Sequence, residues 1–142
     1  MKIRKVKRRD FGEMAEIYAE AFSGESYNEP WTKEKALKKI QSLSKYCDSF
    51  VLDINGKIAG FMILNPPKWC PGKTVEGEEF AIKKEFRGKD YGKFFLNKVE
   101  KIYKKRGFKL FIFIAHKNPG PADYYKNLGY EPTKSNVLFE KN

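Results

Sequence analysis

The chain has 142 residues and carries 29 Lys and Arg against 18 Asp and Glu, a net charge of +11. That length suits one domain, residues 1–142, with a single core filled in good part by 12 Phe and 8 Tyr. No apolar run approaches the roughly 18 residues of a membrane span, and one histidine with two isolated cysteines, Cys47 and Cys70, cannot build a Cys/His zinc site. Met1-Lys2-Ile3-Arg4-Lys5 has no apolar stretch behind it and reads as mature sequence, so a cytoplasmic protein with two free thiols is expected. The positive charge favours an anionic ligand: nucleic acid, an acidic membrane or a phosphorylated cofactor. A solvated, lysine-rich surface explains it equally well, and composition does not choose.

In chain order, Ile3 to Lys7 alternates as a short strand. Asp10 is a candidate N-cap for a helix whose stripe is Phe11, Met14, Ile17, Tyr18, Ala21 and Phe22. Gly24 to Pro30 reads as a loop. Thr32 and Lys35 open a second helix with Ala36, Leu37, Ile40 and Leu43 on one face. Two strands follow, Ser49–Ile54 and Lys57–Leu64, joined by Asn55-Gly56, a pair suited to the type I′ hairpin turn because both positions need positive φ. Asn65-Pro66-Pro67 ends the second, and a loop through Trp69 and Gly72 leads to a strand at about Val75 to Lys83.

Lys84 to Gly92 is a charged, glycine-bearing turn. Behind it Phe95, Leu96, Val99, Ile102 and Tyr103 recur at helical spacing up to a Gly107 cap. Phe108 to Ala115 is almost uninterrupted apolar sequence, which predicts a strand covered on both faces. A short helix at Ala122–Leu128, closed by Gly129, and a last strand at Val137–Glu140 complete the chain. The order β-α-α-β-β-β-α-β-α-β predicts an α/β (α+β) fold, a mixed sheet with helices packed over it.

The stretch from Phe80 to Lys93 is strand, basic turn and helix start. Unpaired N–H groups at such a turn and at the helix N-terminus make a seat for a pyrophosphate. Gly88 and Gly92 allow a ligand close to the backbone, and Arg87, Lys89 and Lys93 add charge. An ordinary turn with surface lysines has the same composition.

This stretch resembles the acetyl-CoA signature of the GNAT acetyltransferase family, Arg/Gln-x-x-Gly-x-Gly/Ala after a strand ending in a small apolar tripeptide. Arg87 takes the first position and Gly92 the last, with Gly88, Lys89, Asp90 and Tyr91 between them and Lys93 just after. Asp90 stands where the family has its middle glycine. Asp tolerates left-handed backbone and can cap a helix. Asn118 to Tyr130 is similar to the family's Asn-x-x-Ala-x-x-x-Tyr-x-x-x-Gly-Phe/Tyr, with Asn118, Tyr125, Gly129 and Tyr130 in register and Pro121 in place of the alanine. The resemblance covers essentially the whole chain. It implies that acetyl-CoA is the acyl donor, that the backbone of Phe80, Ala81 and Ile82 pairs with its pantetheine arm, that Asn118 touches that arm, and that Tyr125 lies near the sulfur.

The implied reaction moves an acetyl group directly from the thioester to a primary amine. Tyr125 is the candidate acid for the departing thiolate, or else a core aromatic, and a backbone N–H near Ala81 or Ile82 is the candidate oxyanion donor. For the base, Glu76, Glu78 and Glu79 cluster on the strand entering the turn, with Glu78 the first choice. Alternation puts Glu79 on the opposite face unless a bulge intervenes. His116 is a weaker candidate proton carrier. Phe113 stands where relatives acting on protein N-termini often carry a glutamate, which lowers that substrate class. Tyr27, Trp31 and Trp69 are candidate walls of an acceptor pocket, with Glu25 and Glu29 to steer a cationic amine. The expected partners are a small-molecule or peptide amine, with homodimers common among similar proteins. Two rivals stay open, a basic nucleic-acid-binding module without catalysis and a GNAT-like domain that binds acyl-CoA and transfers nothing.

Overall fold

The computed structural model describes residues 1–24, 29–70, 72–116 and 120–142. Its centre is the hairpin of β2 (Asp48–Ile54) and β3 (Lys57–Asn65). Asn55 and Gly56 have φ of 53° and 83°, the positive pair a type I′ turn requires. β1 (Lys2–Lys5) adds antiparallel to β2, and β4 (Thr74–Ile82) antiparallel to β3. β5 (Leu110–Phe113) adds parallel to β4, giving the order β1-β2-β3-β4-β5. The helix between β4 and β5 makes that parallel step possible, since parallel neighbours need a crossover.

The alternation along β3 sorts the core into two layers. Phe61 and Ile63 face α1 (Phe11–Phe22) and α2 (Lys33–Leu43), where they meet Met14, Tyr18 and Ile40. Met62 and Leu64 face α3 (Tyr91–Lys105) and meet Phe95, Val99 and Tyr103. Each of these side chains is essentially fully buried. Such burial stabilises by roughly 1.5–3 kcal/mol per large side chain. Just after α4 (Pro121–Asn127), Leu128 and Tyr130 pack on the second layer. Among the described residues no helix is long and apolar enough to cross a membrane.

Local chemistry sets the ends of the helices. The Thr32 hydroxyl accepts from the Lys35 N–H at 3.1 Å and caps α2. Gly107 ends α3 at φ 95°, where Phe108 N–H returns to Tyr103 C=O. Asp10 differs from the expected cap. It stands just before α1 but accepts no bond from that helix; it is buried and takes the Arg4 guanidinium at 2.8 and 3.0 Å and the Lys7 N–H at 2.7 Å. It ties β1 to the start of α1.

The C-terminal third corrects two expectations. Phe108–Ala115 is not a strand covered on both faces. Only Leu110–Phe113 is strand, it lies at the sheet edge, and Leu110 is 52% exposed. Val137–Glu140 forms no strand; Phe139 is 93% exposed and the segment pairs with nothing in the sheet. Apolar β-branched and aromatic residues favour a strand, but a strand exists only where a ladder partner accepts it.

Candidate active site

The site begins where β4 and β5 part. Their parallel pairing runs from Thr74–Leu110 to Gly77–Phe113 and stops, because β5 ends there. β4 continues to Ile82 with β3 alone beside it, through Ile63–Glu79, Met62–Phe80, Phe61–Ala81 and Gly60–Ile82. Among the described residues no strand pairs with the β5 side of Phe80, Ala81 and Ile82. On this open sheet edge Arg87 takes the Ile82 C=O, and the rest is a template for an extended ligand arm.

A cavity of about 940 Å³ lies against this edge. Phe80, Ala81, Ile82, Arg87, Gly88, Asp90, Tyr91, Gly92, Lys93 and Tyr125 line it, as do Lys84, Glu20 and Tyr124. Nearly the whole set expected from the sequence thus converges on one place. Lys89 is exposed on the turn between two of the lining residues, and Asn118 falls outside the described residues.

Asp90 has φ 62° and ψ 12°, the left-handed backbone that its place in the turn requires. Its side chain makes no capping bond to α3, so the cap expected of it is absent, and its contribution is backbone shape. The first N–H groups of α3, at Tyr91 to Lys93, have no partner within the helix and open on the cavity beside Lys84 and Arg87. Backbone dipoles and cations together suit a pyrophosphate. Arg87 is already engaged: Nε donates to Ile82 C=O at 2.8 Å, and the guanidinium pairs with Glu20 of α1 at 2.9 Å. It braces the turn against β4 and α1 as well as adding charge.

Two glycines make room for aromatic side chains. A Cβ on Gly92 would sit 2.1 Å from the Tyr124 hydroxyl oxygen, so only glycine lets that hydroxyl rest on the first turn of α3. Burial, with the Asp90 charge nearby, pushes the Tyr124 hydroxyl up to about 12. A Cβ on Gly77 would lie 2.0 Å from the Phe113 ring. Phe113 stacks on Tyr125 at 4.9 Å, so Gly77 sets the ring that in turn sets Tyr125. Tyr124 went unnoticed in the sequence; its signal was the neighbouring glycine, not its own spacing.

The carboxylates lie on the other side of the sheet. Register passes from Ile63–Glu79 to Leu64–Gly77, which leaves Glu78 as a bulged residue. The bulge cancels one step of alternation, so Glu79 joins Glu76 and Glu78 on the side that α1 and α2 cover. Glu76 is buried and takes Lys68 Nζ and Trp69 Nε1. Glu78 accepts from Asn65 Nδ2 at 2.9 Å and pairs with Lys68 at 3.5 Å. Glu79, with its side chain 10% exposed, accepts from the Tyr18 hydroxyl at 2.9 Å and Lys39 Nζ at 2.8 Å. Burial holds its carboxyl above the usual range, against the opposing pull of Lys39 and Tyr18.

Of the other expected residues, Trp31 packs its ring edge-on against Tyr18 at 4.7 Å within the α1–α2 layer. Trp69 is exposed at the rim of the Glu76 pair, and His116 is exposed beyond β5. Glu29 is exposed, while Glu25 and Tyr27 lie outside the described residues. Both cysteines are free, and burial pushes the Cys47 thiol up to about 12. Among the described residues no cluster could hold a metal ion.

The arrangement is a parallel strand pair that stops part-way along β4, with a basic, glycine-bearing turn beside the open edge. The acetyltransferase (GNAT) family model matches residues 11–130, and the chain belongs to that family. No curated protein matches it. Among solved structures, a possible acetyltransferase from Clostridium difficile 630 superposes with a TM-score of 0.83 at 16% identity, covering 99% of this chain and 97% of that one. A GNAT family acetyltransferase from Staphylococcus aureus gives 0.71 at 19%, covering 99% and 98%. An N-acetyltransferase from Staphylococcus aureus Mu50 gives 0.68 at 20%, covering 90% and 81%. At these identities the likeness is one of fold.

Proposed function

We propose that the chain is a cytoplasmic N-acetyltransferase that moves an acetyl group from acetyl-CoA to a primary amine. The observation that carries this reading is the free edge of Phe80–Ile82 opening on a cavity floored by the α3 N-terminus. The edge offers backbone hydrogen bonds to the amide-bearing arm, and the turn offers N–H groups and cations to the pyrophosphate. When bound there, acetyl-CoA supplies an activated thioester.

The chain's own residues do the rest. Of the two candidate donors, the Ile82 N–H faces away from β3 and serves the developing oxyanion, whereas the Ala81 N–H is turned toward β3. Tyr125, lining the cavity and held by Phe113, delivers a proton toward the leaving sulfur. An amine attacks only when neutral, so a carboxylate must take its proton. Glu78 and Glu79 both stand at the bulge next to the open edge. Both are held, Glu78 by Asn65 and Lys68 and Glu79 by Tyr18 and Lys39; Glu79 suits the task because burial holds its carboxyl above the usual range.

Isothermal titration with acetyl-CoA, with random-sequence DNA as control and an amine panel to follow, tests this reading. Saturable binding that weakens in Arg87→Ala, followed by turnover on an amine, is the expected result. Salt-sensitive DNA binding without acetyl-CoA binding would mean a basic binding module instead. Acetyl-CoA binding with no turnover on any amine would mean a cofactor-binding domain that transfers nothing.

A further inference from the structure

The carboxylate best suited as base already holds an amine. Lys39 Nζ stands 2.8 Å from Glu79 Oε1, 5.3 Å from the centre of the Trp31 ring and 5.6 Å from that of Tyr18. Tyr18 donates its hydroxyl to the same Glu79 oxygen. A buried carboxylate and two aromatic faces around one ammonium make a cation box, each wall adding a favourable interaction with an alkylammonium. The box adjoins the cofactor cavity. Glu79 directly precedes Phe80, and Phe22, a wall of the cavity, has its ring 4.6 Å from that of Tyr18, a wall of the box. Lys39 enters from α2 with its side chain 39% exposed, so it is a movable occupant rather than a core element.

We propose that Lys39 is an intramolecular acetyl acceptor, its ammonium standing where the ammonium of an external amine would stand. This rests on the reading of the chain as an acetyl-CoA-dependent transferase. Glu79 takes one proton from the ammonium, and the Nζ–carbonyl carbon bond forms as the carbon–sulfur bond breaks. The surplus proton on nitrogen ends on the sulfur, giving the free thiol. Acetylation removes the Lys39 charge, breaks its pair with Glu79 and leaves that carboxylate open to an external amine. The matching substrate class is an unbranched alkylamine, the terminus of a lysine side chain or a polyamine.

Two measurements test this. In the first, the protein is incubated with acetyl-CoA and the acetylated residues are mapped by mass spectrometry. A single dominant acetyl group on Lys39, formed at a rate that protein dilution does not change and lost in Glu79→Gln, is expected. Acetyl groups spread evenly over surface lysines, equally in Glu79→Gln, would overturn the proposal. The second uses no cofactor. Butylamine is titrated into the Lys39→Ala variant while the Trp31 indole resonance is followed. A saturable shift in Lys39→Ala that is absent from the unmodified protein is expected; a Lys39→Ala protein without response, or the same response in both, overturns the box. Desulfo-CoA binding, measured alongside, separates the two failures. Binding without Lys39 acetylation defeats this proposal alone, whereas no binding defeats both the acetyltransferase reading and the acetylation that rests on it.

Discussion

The two faces of β4 beyond the bulge are built from opposite materials. Toward α3 and α4, Phe80 packs edge-on to Phe95 and leans on Phe113, Tyr124 and Tyr125, an aromatic cluster with almost no charge. Toward α1 and α2, one residue away, Glu79 ties Tyr18 to Lys39. An apolar face holds shape by packing, and it can position a tyrosine and a ligand arm without titrating. A buried carboxylate holds a proton equilibrium instead, because its pKa answers to burial and to partners. The proposed transfer reaction would draw on both, and a single strand carries them on opposite sides.

The largest effect should come from removing the charge. Glu79→Gln should lower kcat by about 10²–10³-fold, within the range for general base removal. Glu79 must be ionised to accept a proton, and its carboxyl sits above the usual range. The acid limb of the kcat–pH profile of the unsubstituted protein should therefore lie at higher pH than an exposed glutamate would give. That limb should vanish in Glu79→Gln. A profile that keeps its acid limb would assign the base elsewhere, with Glu78→Gln the next variant to assay.

On the aromatic face, Tyr125→Phe keeps the stack on Phe113 and removes only the hydroxyl. It should lower kcat by about 10²-fold with little change in KM, measured by steady-state kinetics. Equal activity at every pH would reduce Tyr125 to a packing residue. Gly92→Ala should act on binding instead. Its Cβ pushes Tyr124 off the first turn of α3, and acetyl-CoA affinity measured by calorimetry should fall about tenfold, roughly 1.4 kcal/mol. Unchanged affinity would show that this turn is not the pyrophosphate seat.

The smallest effect on catalysis is expected far from both faces. Asp10→Asn weakens the bonds from Arg4 and Lys7 and should cost about 2 kcal/mol in denaturant unfolding, with kcat unchanged. Arg4 holds the Asp10 carboxyl below its usual range. The folded value thus lies below the unfolded one, so this stabilisation is present above the unfolded value and lost as pH falls through the folded one. The variant should lose less stability than the unsubstituted protein on acidification.

How far each face was legible in the sequence follows from its materials. The turns and Tyr125 were readable, since Asn55-Gly56, Gly107 and the Arg87-to-Gly92 signature act through local backbone geometry, while Tyr124 on the aromatic side was not. Asp90 shows the boundary: its left-handed backbone follows from its residue type, but its missing cap bond depends on where the chain around it points. On the charged side the cluster of Glu76, Glu78 and Glu79 was readable, but its partners were not. Placing Glu79 beside Tyr18 needs the Glu78 bulge, a property of register with β3, and the Glu20–Arg87 pair joins residues 67 apart in the chain. Val137–Glu140 failed for the same reason, since strand-forming residues do not report whether an edge receives them.

The most direct test of the account is hydrogen exchange at the amides of Phe80, Ala81 and Ile82, with and without acetyl-CoA. Slower exchange at the amides on the free edge, together with those of Tyr91 to Lys93, would seat the cofactor along β4 with its pyrophosphate on α3. Saturable binding that leaves these amides unchanged and protects others would contradict it.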